Sequence, residues 1–172
     1  IVESDDVSIE NLEFLFTASE DADSYAVLVR GVSNFGMVNN TIVYVGQTDG
    51  TNINNAVRIT DSTSVAVRNN NFMITLVSAA ASWVEEPVGS MNYVSYPVSE
   101  GIVISNSRDV DFEDNLVLID YDNVSGSYDT IYGVSVRNSD NVRVTENSIS
   151  AVGHSYVYAL LVSGNEFGIY DN

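Results

Sequence analysis

Acidic side chains are the most abundant groups in this chain that could do chemistry. The 172 residues include 24 Asp and Glu against six Arg, with no Lys and no Cys, so the formal net charge is −18. The densest acidic run contains Asp109, Asp111, Glu113 and Asp114. Clustered carboxylates can act as general acid and base in glycoside hydrolysis or can bind Ca²⁺. This run is therefore the first candidate for a catalytic site.

A second group of carboxylates consists of Asp120, Asp122 and Asp129. Oxygen ligands at this density suit Ca²⁺, although their spacing matches no EF-hand loop, and a solvated acidic loop is the alternative. The single histidine, His154, has no second His and no Ser/Asp arrangement for zinc binding or a catalytic triad, and we expect it to pack against Tyr156. We predict no cofactor, with Ca²⁺ at this carboxylate group as the only candidate.

The composition argues against two classes of partner and leaves two modification motifs. Nucleic acids and anionic membranes are bound through basic patches, which this acidic chain lacks. No apolar run approaches the 18 residues or so of a membrane span, so we predict no membrane insertion and place any anchor or targeting signal outside the chain. N-x-S/T motifs at Asn39 and Asn123 are candidate N-glycosylation sites.

The elements that must position these side chains follow from an internal repeat. Segments that begin at Val27, Val57, Ile102 and Val134 share one frame. Each contains three short stretches in which β-branched or aromatic residues alternate with polar ones, a pattern typical of strands. The first inward residue of the second strand recurs at intervals of 28, 30, 45, 32 and 25 residues, at Val7, Phe35, Val65, Val110, Val142 and Phe167.

The repeat favours stacked coils over a propeller or a sandwich. Hairpins would require recurring Asn-Gly or Asp-Gly turns, and Asp49-Gly50 is the only such pair. One three-stranded coil per repeat, hydrogen-bonded to its neighbours, satisfies the backbone instead. The corner between the second and third strands carries asparagine in register, and at a coil spacing of about 4.8 Å we expect these amides to form a ladder: Asn40, Asn70, Asn115 and Asn147, with Asn172 in the same slot.

The register of the coils changes how the acidic run is interpreted. Alternation sends Asp111 and Glu113 outward, and stacking places Asp111 beside Arg143 and Glu113 beside Arg68. Opposite charges in register on neighbouring strands are an ordinary stabilising feature of sheets, about 0.2–1 kcal/mol each. We therefore predict cross-coil ion pairs here and not a catalytic site.

Variation in repeat length occurs at one corner, between the third strand and the next first strand. The largest insertion there covers residues 77–100, and loops gathered on one edge of a solenoid are frequent binding sites. Tyr132 and Tyr158 occupy the same position in consecutive repeats, so we expect them to stack. Aromatic rings bind sugars and partner proteins well, and covering a corner of the core is the alternative role for this set: Trp83, Tyr93, Tyr96, Tyr128, Tyr132, Tyr156 and Tyr158.

The frame of short apolar strands with Ser-x-Asn and Asn-Asn turns resembles the parallel β-helix repeat of the pectate-lyase-like superfold. Residues 126–133 and 153–162 look like segments of the adhesin-like surface proteins of methanogenic archaea. The resemblance covers essentially the whole chain. It implies an all-β, right-handed parallel β-helix with about five to six coils of three short strands. It also implies a non-enzymatic, extracellular, cell-surface-attached protein that binds a glycan or a cell-surface protein.

Two other functions remain open from the sequence. The superfold includes polysaccharide lyases and hydrolases, so a carbohydrate-active enzyme is one alternative, and a passive acidic spacer is the other. The pattern is already present at Ile1 and still present at Asn172, and neither end carries a capping helix. We therefore expect residues 1–172 to form one segment of a longer solenoid, whose uncapped ends can associate end to end.

Overall fold

The computed structural model describes residues 1–18, 23–48, 53–78, 98–123, 130–153 and 156–172. The described residues form fourteen β-strands and no helix, and hence no helix that could cross a membrane. The strands are β1 (Ser8–Glu10), β2 (Glu13–Thr17), β3 (Ser24–Arg30), β4 (Ser33–Val38), β5 (Thr41–Thr48), β6 (Asn54–Thr60), β7 (Thr63–Arg68), β8 (Asn71–Ser78), β9 (Val98–Ser105), β10 (Arg108–Glu113), β11 (Leu116–Asn123), β12 (Thr130–Thr145), β13 (Ser148–Val152) and β14 (Tyr156–Tyr170).

The strands wind as a parallel β-helix, which confirms the fold expected from the repeat. The first and second strands of the coils form a nine-stranded sheet in the order β1-β4-β7-β10-β12-β9-β6-β3, with β14 also paired to β12. The third strands form a five-stranded sheet in the order β13-β11-β8-β5-β2. Neighbouring strands are parallel, and each coil pairs with the next at the predicted register, Val65 with Val110 and Val110 with Val142.

The last two coils depart from the expectation of three separate strands. In β12 and β14 the first and second strands are continuous, so β12 runs unbroken for 16 residues. The register of this pair still shifts between Val136 and Ser139, where the other coils have a turn. The corner is therefore kept as an irregularity inside a long strand.

The core consists of the inward side chains predicted by alternation, stacked in columns along the helix axis. Each coil contributes aliphatic and aromatic residues that neighbouring coils cover on both sides. The central coil illustrates this, because its six inward residues are at most 2% exposed: Val57, Ile59, Val65, Val67, Phe72 and Ile74.

Each corner between the second and third strands is a two-residue turn whose first residue has a left-handed backbone. The φ angles are 56° at Asn39, 55° at Asn69, 54° at Asp114 and 55° at Glu146. Asn and Asp adopt this conformation more readily than other residues that carry a Cβ, which explains why they dominate the position. The turn directs the residue that follows into the interior of the coil.

That following residue is the asparagine of the ladder. From Asn70 onward, each ladder Oδ1 accepts the main-chain N–H and the Nδ2 of the preceding asparagine at 2.9–3.1 Å. The Oδ1 of Asn40 accepts the main-chain N–H of Leu12 at 3.0 Å. Each Nδ2 from the second asparagine onward also donates to a main-chain carbonyl of the preceding coil at 2.9–3.0 Å. The column runs from Asn40 through Asn70, Asn115 and Asn147 to Asn172.

A second internal ladder, of serines, lies at the corner between the first and second strands. The hydroxyls of Ser62, Ser107 and Ser139 each donate to the carbonyl two residues earlier at 2.8–2.9 Å. Each also accepts a main-chain N–H from the preceding coil at 3.2–3.3 Å. This ladder was not predicted from the sequence, although Asp61-Ser62, Asn106-Ser107 and Asn138-Ser139 recur in register.

Candidate functional site

The acidic side chains Asp111 and Glu113 on β10 form an ion-pair network with arginines on the two neighbouring strands, β7 and β12. Arg143 Nε contacts Asp111 Oδ1 at 2.6 Å, and Arg68 Nε contacts Glu113 Oε2 at 3.4 Å. Arg143 also reaches Glu113 at 3.3 Å, and Arg68 also pairs with Asp111. Burial alone would raise the pKa of Asp111, but hydrogen bonds from Arg143 and Arg68 outweigh it and hold the pKa below its usual value. Two arginines thus favour the charged form of Asp111.

This network predicts a pH-dependent contribution to stability. Because the pKa of Asp111 is lower in the folded chain, its contribution is present above about pH 4 and is lost as the pH falls through the folded-state value. Asp111→Asn is expected to lower stability at pH 7 and to flatten the decline on acidification. Urea unfolding of both proteins at pH 7 and pH 3 measures this, and an unchanged pH slope in the variant would contradict the assignment.

The other carboxylates considered for Ca²⁺ do not form a described site. Asp120 lies exposed on β11, while the side chain of Asp122 and all of Asp129 are outside the described residues. Within the described ranges no group of three or more His, Cys, Asp or Glu side chains is arranged to hold a metal. Ca²⁺ binding at this group stays a prediction.

The orientation of the tyrosines near the start of the first strands depends on a bend in β12 and in the strands beside it. Ile131 and Val134 are both fully buried although they are three residues apart, so simple alternation breaks between them. The bend is at Gly133, where an added Cβ would lie 2.5 Å from the carbonyl oxygen of Ala159 on the next coil. Small residues fill this position in the five coils that contain it: Ala26, Ala56, Gly101, Gly133 and Ala159. The bend turns Tyr132 away from the core.

Beside this bend lies the tyrosine edge, which we define as Tyr132, Tyr156 and Tyr158 with Arg137 and Glu100. The rings of Tyr132 and Tyr158 stack with centroids 5.4 Å apart and an interplanar angle of 24°. The guanidinium carbon of Arg137 lies 5.3 Å from the centroid of Tyr132, a cation–π contact, and Arg137 also pairs with Glu100. Tyr156 and Tyr158 remain 60% and 48% exposed. Aromatic surface and a mutually neutralised pair of charges therefore meet at one place.

A buried hydroxyl lies beneath this edge. Ser135 follows Tyr132 on the outer side of β12 and precedes Arg137, so the arginine side chain passes over it to reach the tyrosine ring. Ser135 is fully buried, and its Oγ has no hydrogen-bond partner among the described residues. An unpaired hydroxyl in such a position costs roughly 1–3 kcal/mol, which makes it a latent hydrogen-bonding group.

The remaining residues of the predicted aromatic set lie outside the described residues: Trp83, Tyr93, Tyr96 and Tyr128. His154 and residues 79–97 of the predicted insertion also do, while residues 77–78 and 98–100 belong to β8 and β9. The first sequon is described, since Asn39 is exposed and donates from Nδ2 to Asn11 Oδ1 at 2.6 Å. Asn123 ends β11, and its side chain is not described.

The fold and this edge define the chain as a parallel β-helix with an aromatic surface at its variable corner. No protein-family model, no curated protein and no solved structure matches the chain.

Proposed function

We propose that this chain is a non-enzymatic adhesive segment of an extracellular, cell-surface-attached protein, and that it binds a glycan at the tyrosine edge. The observation that carries the proposal is the stacked Tyr132–Tyr158 pair next to the Arg137–Glu100 ion pair. An exposed aromatic ring offers a flat apolar surface to the C–H face of a sugar, while the ion pair offers both donors and acceptors to its hydroxyls.

The charge of the edge indicates which glycans it suits. Arg137 is already neutralised by Glu100, and the chain as a whole carries a net charge of −18. Uronic or sulfated sugars would approach against this field, whereas neutral sugars would not. Ser135 adds a further donor, because Arg137 turning toward a ligand would uncover a hydroxyl that lacks a partner. We therefore expect neutral oligosaccharides to bind best.

The state of the acidic run supports a non-enzymatic role over the hydrolase alternative. Asp111 and Glu113 face outward from β10 and are held between Arg68 and Arg143. A general acid needs a carboxyl group whose pKa is raised toward the working pH, and that of Asp111 is lowered. Asp111 and Glu113, which first suggested catalysis, are better suited to holding neighbouring coils together through ion pairs.

Binding of neutral oligosaccharides should depend on Tyr158. A panel of neutral and uronic-acid oligosaccharides is screened first, and the best-bound sugar is titrated by calorimetry. Loss of ring contact in Tyr158→Ala is expected to weaken binding about tenfold, because an aromatic contact of this kind contributes about 1 kcal/mol or more. The matched control is Tyr170→Ala, since Tyr170 is 62% exposed at the far end of β14 and should leave affinity unchanged.

Two outcomes would contradict the proposal. If no oligosaccharide binds the wild-type chain, the passive acidic spacer becomes the better account. If the Tyr158 and Tyr170 variants lose affinity equally, the sugar does not bind at the tyrosine edge.

A further inference from the structure

A column of exposed residues follows the corners between the second and third strands from coil to coil. It is formed by the first residue of each corner turn. The main-chain N–H groups of the first five members donate to the next coil at 3.1–3.2 Å, which fixes their register. Every member has a left-handed backbone, with φ between 52° and 56°, and the column changes from amide to acid halfway along: Asn11, Asn39, Asn69, Asp114, Glu146 and Asp171. We call the last three the carboxylate stack.

The carboxylate stack differs from the rest of the corner surface in having no donor between its acids. In the amide half of the column, Asn39 Nδ2 donates to Asn11 Oδ1 at 2.6 Å. At the corner between the first and second strands, Asn141 Nδ2 donates to Asp109 Oδ1 at 2.7 Å. The column at that corner has an amide or a hydroxyl between any two acids: Asp6, Asn34, Ser64, Asp109, Asn141 and Glu166.

The middle member of the stack, Glu146, faces like charge on both sides. The coils are about 4.8 Å apart, and like charges directly opposite on neighbouring strands are destabilising. Repulsion from Asp114 and a hydrogen bond with it raise the pKa of Glu146 above its ordinary value, and Glu113 and Asp171 contribute in the same direction. Arg143 also interacts with Glu146, but its guanidinium is already held by the ion-pair network on β10.

We infer that the carboxylate stack is a proton-sensitive contact, which joins the last three coils weakly near neutral pH and more firmly in acid. A proton taken up by Glu146 from solvent removes one charge and lets the carboxyl O–H donate to Asp114, as an amide does in the other half of the column.

The pH range of this contact follows from the sign of the shift. Because folded Glu146 has a raised pKa, its stabilising contribution is fully present below about pH 4, where an ordinary glutamic acid is protonated. The contribution is lost as the pH rises through the folded-state value. This direction is opposite to that of Asp111, whose contribution is lost in acid.

Thermal melting of Glu146→Gln at pH 7 and pH 4 tests the inference. At pH 7 the variant lacks the middle charge and is expected to melt about 1–4 °C above the wild-type chain. At pH 4 the gain should fall by more than half, because the wild-type side chain then carries a proton. The matched control is Glu166→Gln, which removes the same charge from an exposed residue with φ 54° in the other column. It should change the melting temperature by less than about 1 °C.

A second variant tests the contact from its other side. Asp114→Asn removes the charge that faces Glu146 and places an amide there, so it should give a similar gain at pH 7. The double variant should gain less than the sum of the two, because both changes relieve the same repulsion. The gains should also shrink in 1 M NaCl, where the Debye length is about 3 Å.

Four results would overturn the inference. These are a Glu146→Gln variant that melts no higher than the wild-type chain at pH 7, equal effects of Glu146→Gln and Glu166→Gln, a gain that is the same at pH 4 and pH 7, and strictly additive gains in the double variant. The inference goes beyond glycan binding, and none of these results bears on the tyrosine edge.

Discussion

Replacement of Asn115 by alanine is expected to lower the free energy of unfolding by about 3–5 kcal/mol. Asn115 is 2% exposed and lies in the middle of the ladder. Its Oδ1 accepts the main-chain N–H and the Nδ2 of Asn70, and its Nδ2 donates to Asn147 Oδ1 and to the carbonyl of Val67. Alanine leaves the buried main-chain N–H of Asn70 without its partner and removes one contact each from Asn70 Nδ2, Asn147 Oδ1 and the carbonyl of Val67.

Chemical denaturation of the purified variant measures this effect. The control is Asn165→Ala, because Asn165 is exposed and its side-chain hydrogen bond to Asp140, at 3.1 Å, is open to solvent. That change should cost less than about 0.5 kcal/mol, as is usual for surface substitutions. If both variants lost the same free energy of unfolding, the asparagine ladder would not contribute to stability, and core packing alone would hold the coils together.

Alanine at Gly133 is expected to destabilise the chain by about 1–3 kcal/mol and to disturb the tyrosine edge at the same time. The new Cβ would lie 2.5 Å from the carbonyl oxygen of Ala159, which is main chain and cannot rotate away. The first strand of the last coil must therefore move off β12. That movement should separate the rings of Tyr132 and Tyr158, whose centroids lie 5.4 Å apart in the wild-type chain.

The expected signature is a lower melting temperature together with reduced tyrosine signal in near-ultraviolet circular dichroism. Gly36→Ala is the matched control, since its Cβ would meet only the Ser8 side chain, at 3.2 Å from the hydroxyl. It should melt within a few degrees of the wild-type chain. A Gly133→Ala protein with normal stability and an intact tyrosine signal would show that the bend does not require glycine.

The register of the coils could be predicted from the sequence because a strand alternates its side chains with a period of two residues. A shift of one residue would have moved Val65, Val110 and Val142 out of the core together, so a single frame accounts for the buried set. The same frame places Asp111 beside Arg143. The second contact of each arginine was not predicted, because a long flexible side chain can also reach the carboxylate on the diagonal position.

Other features escaped prediction for physical reasons. Merging of the first two strands in β12 depends on whether hydrogen bonding continues through a corner, and no residue type marks that choice. The bend at Gly133 was missed because small residues in register look like ordinary strand positions until their distance to the next coil is known. The serine ladder was missed because serine is common in turns, and only its inward direction distinguishes it.

The surface of the described chain thus divides into three parts with different chemistry. The second strands carry the network of Arg68, Asp111, Glu113 and Arg143, which stabilises the coils. The third strands carry mostly uncharged outward side chains, with Glu13 and Asp120 as the charged ones among the first three outward positions of each strand. The tyrosine edge lies where the first strands begin.

The most direct test of the central claim follows the binding and the integrity of one oligosaccharide in the same sample. The best-bound neutral sugar is incubated with the wild-type chain, with and without Ca²⁺, and its binding is measured by ligand-observed NMR while its length is followed by mass spectrometry. We expect saturable binding that Tyr158→Ala weakens about tenfold, with the oligosaccharide unchanged in length. Shortened or unsaturated products, or binding that is indifferent to Tyr158, would contradict it.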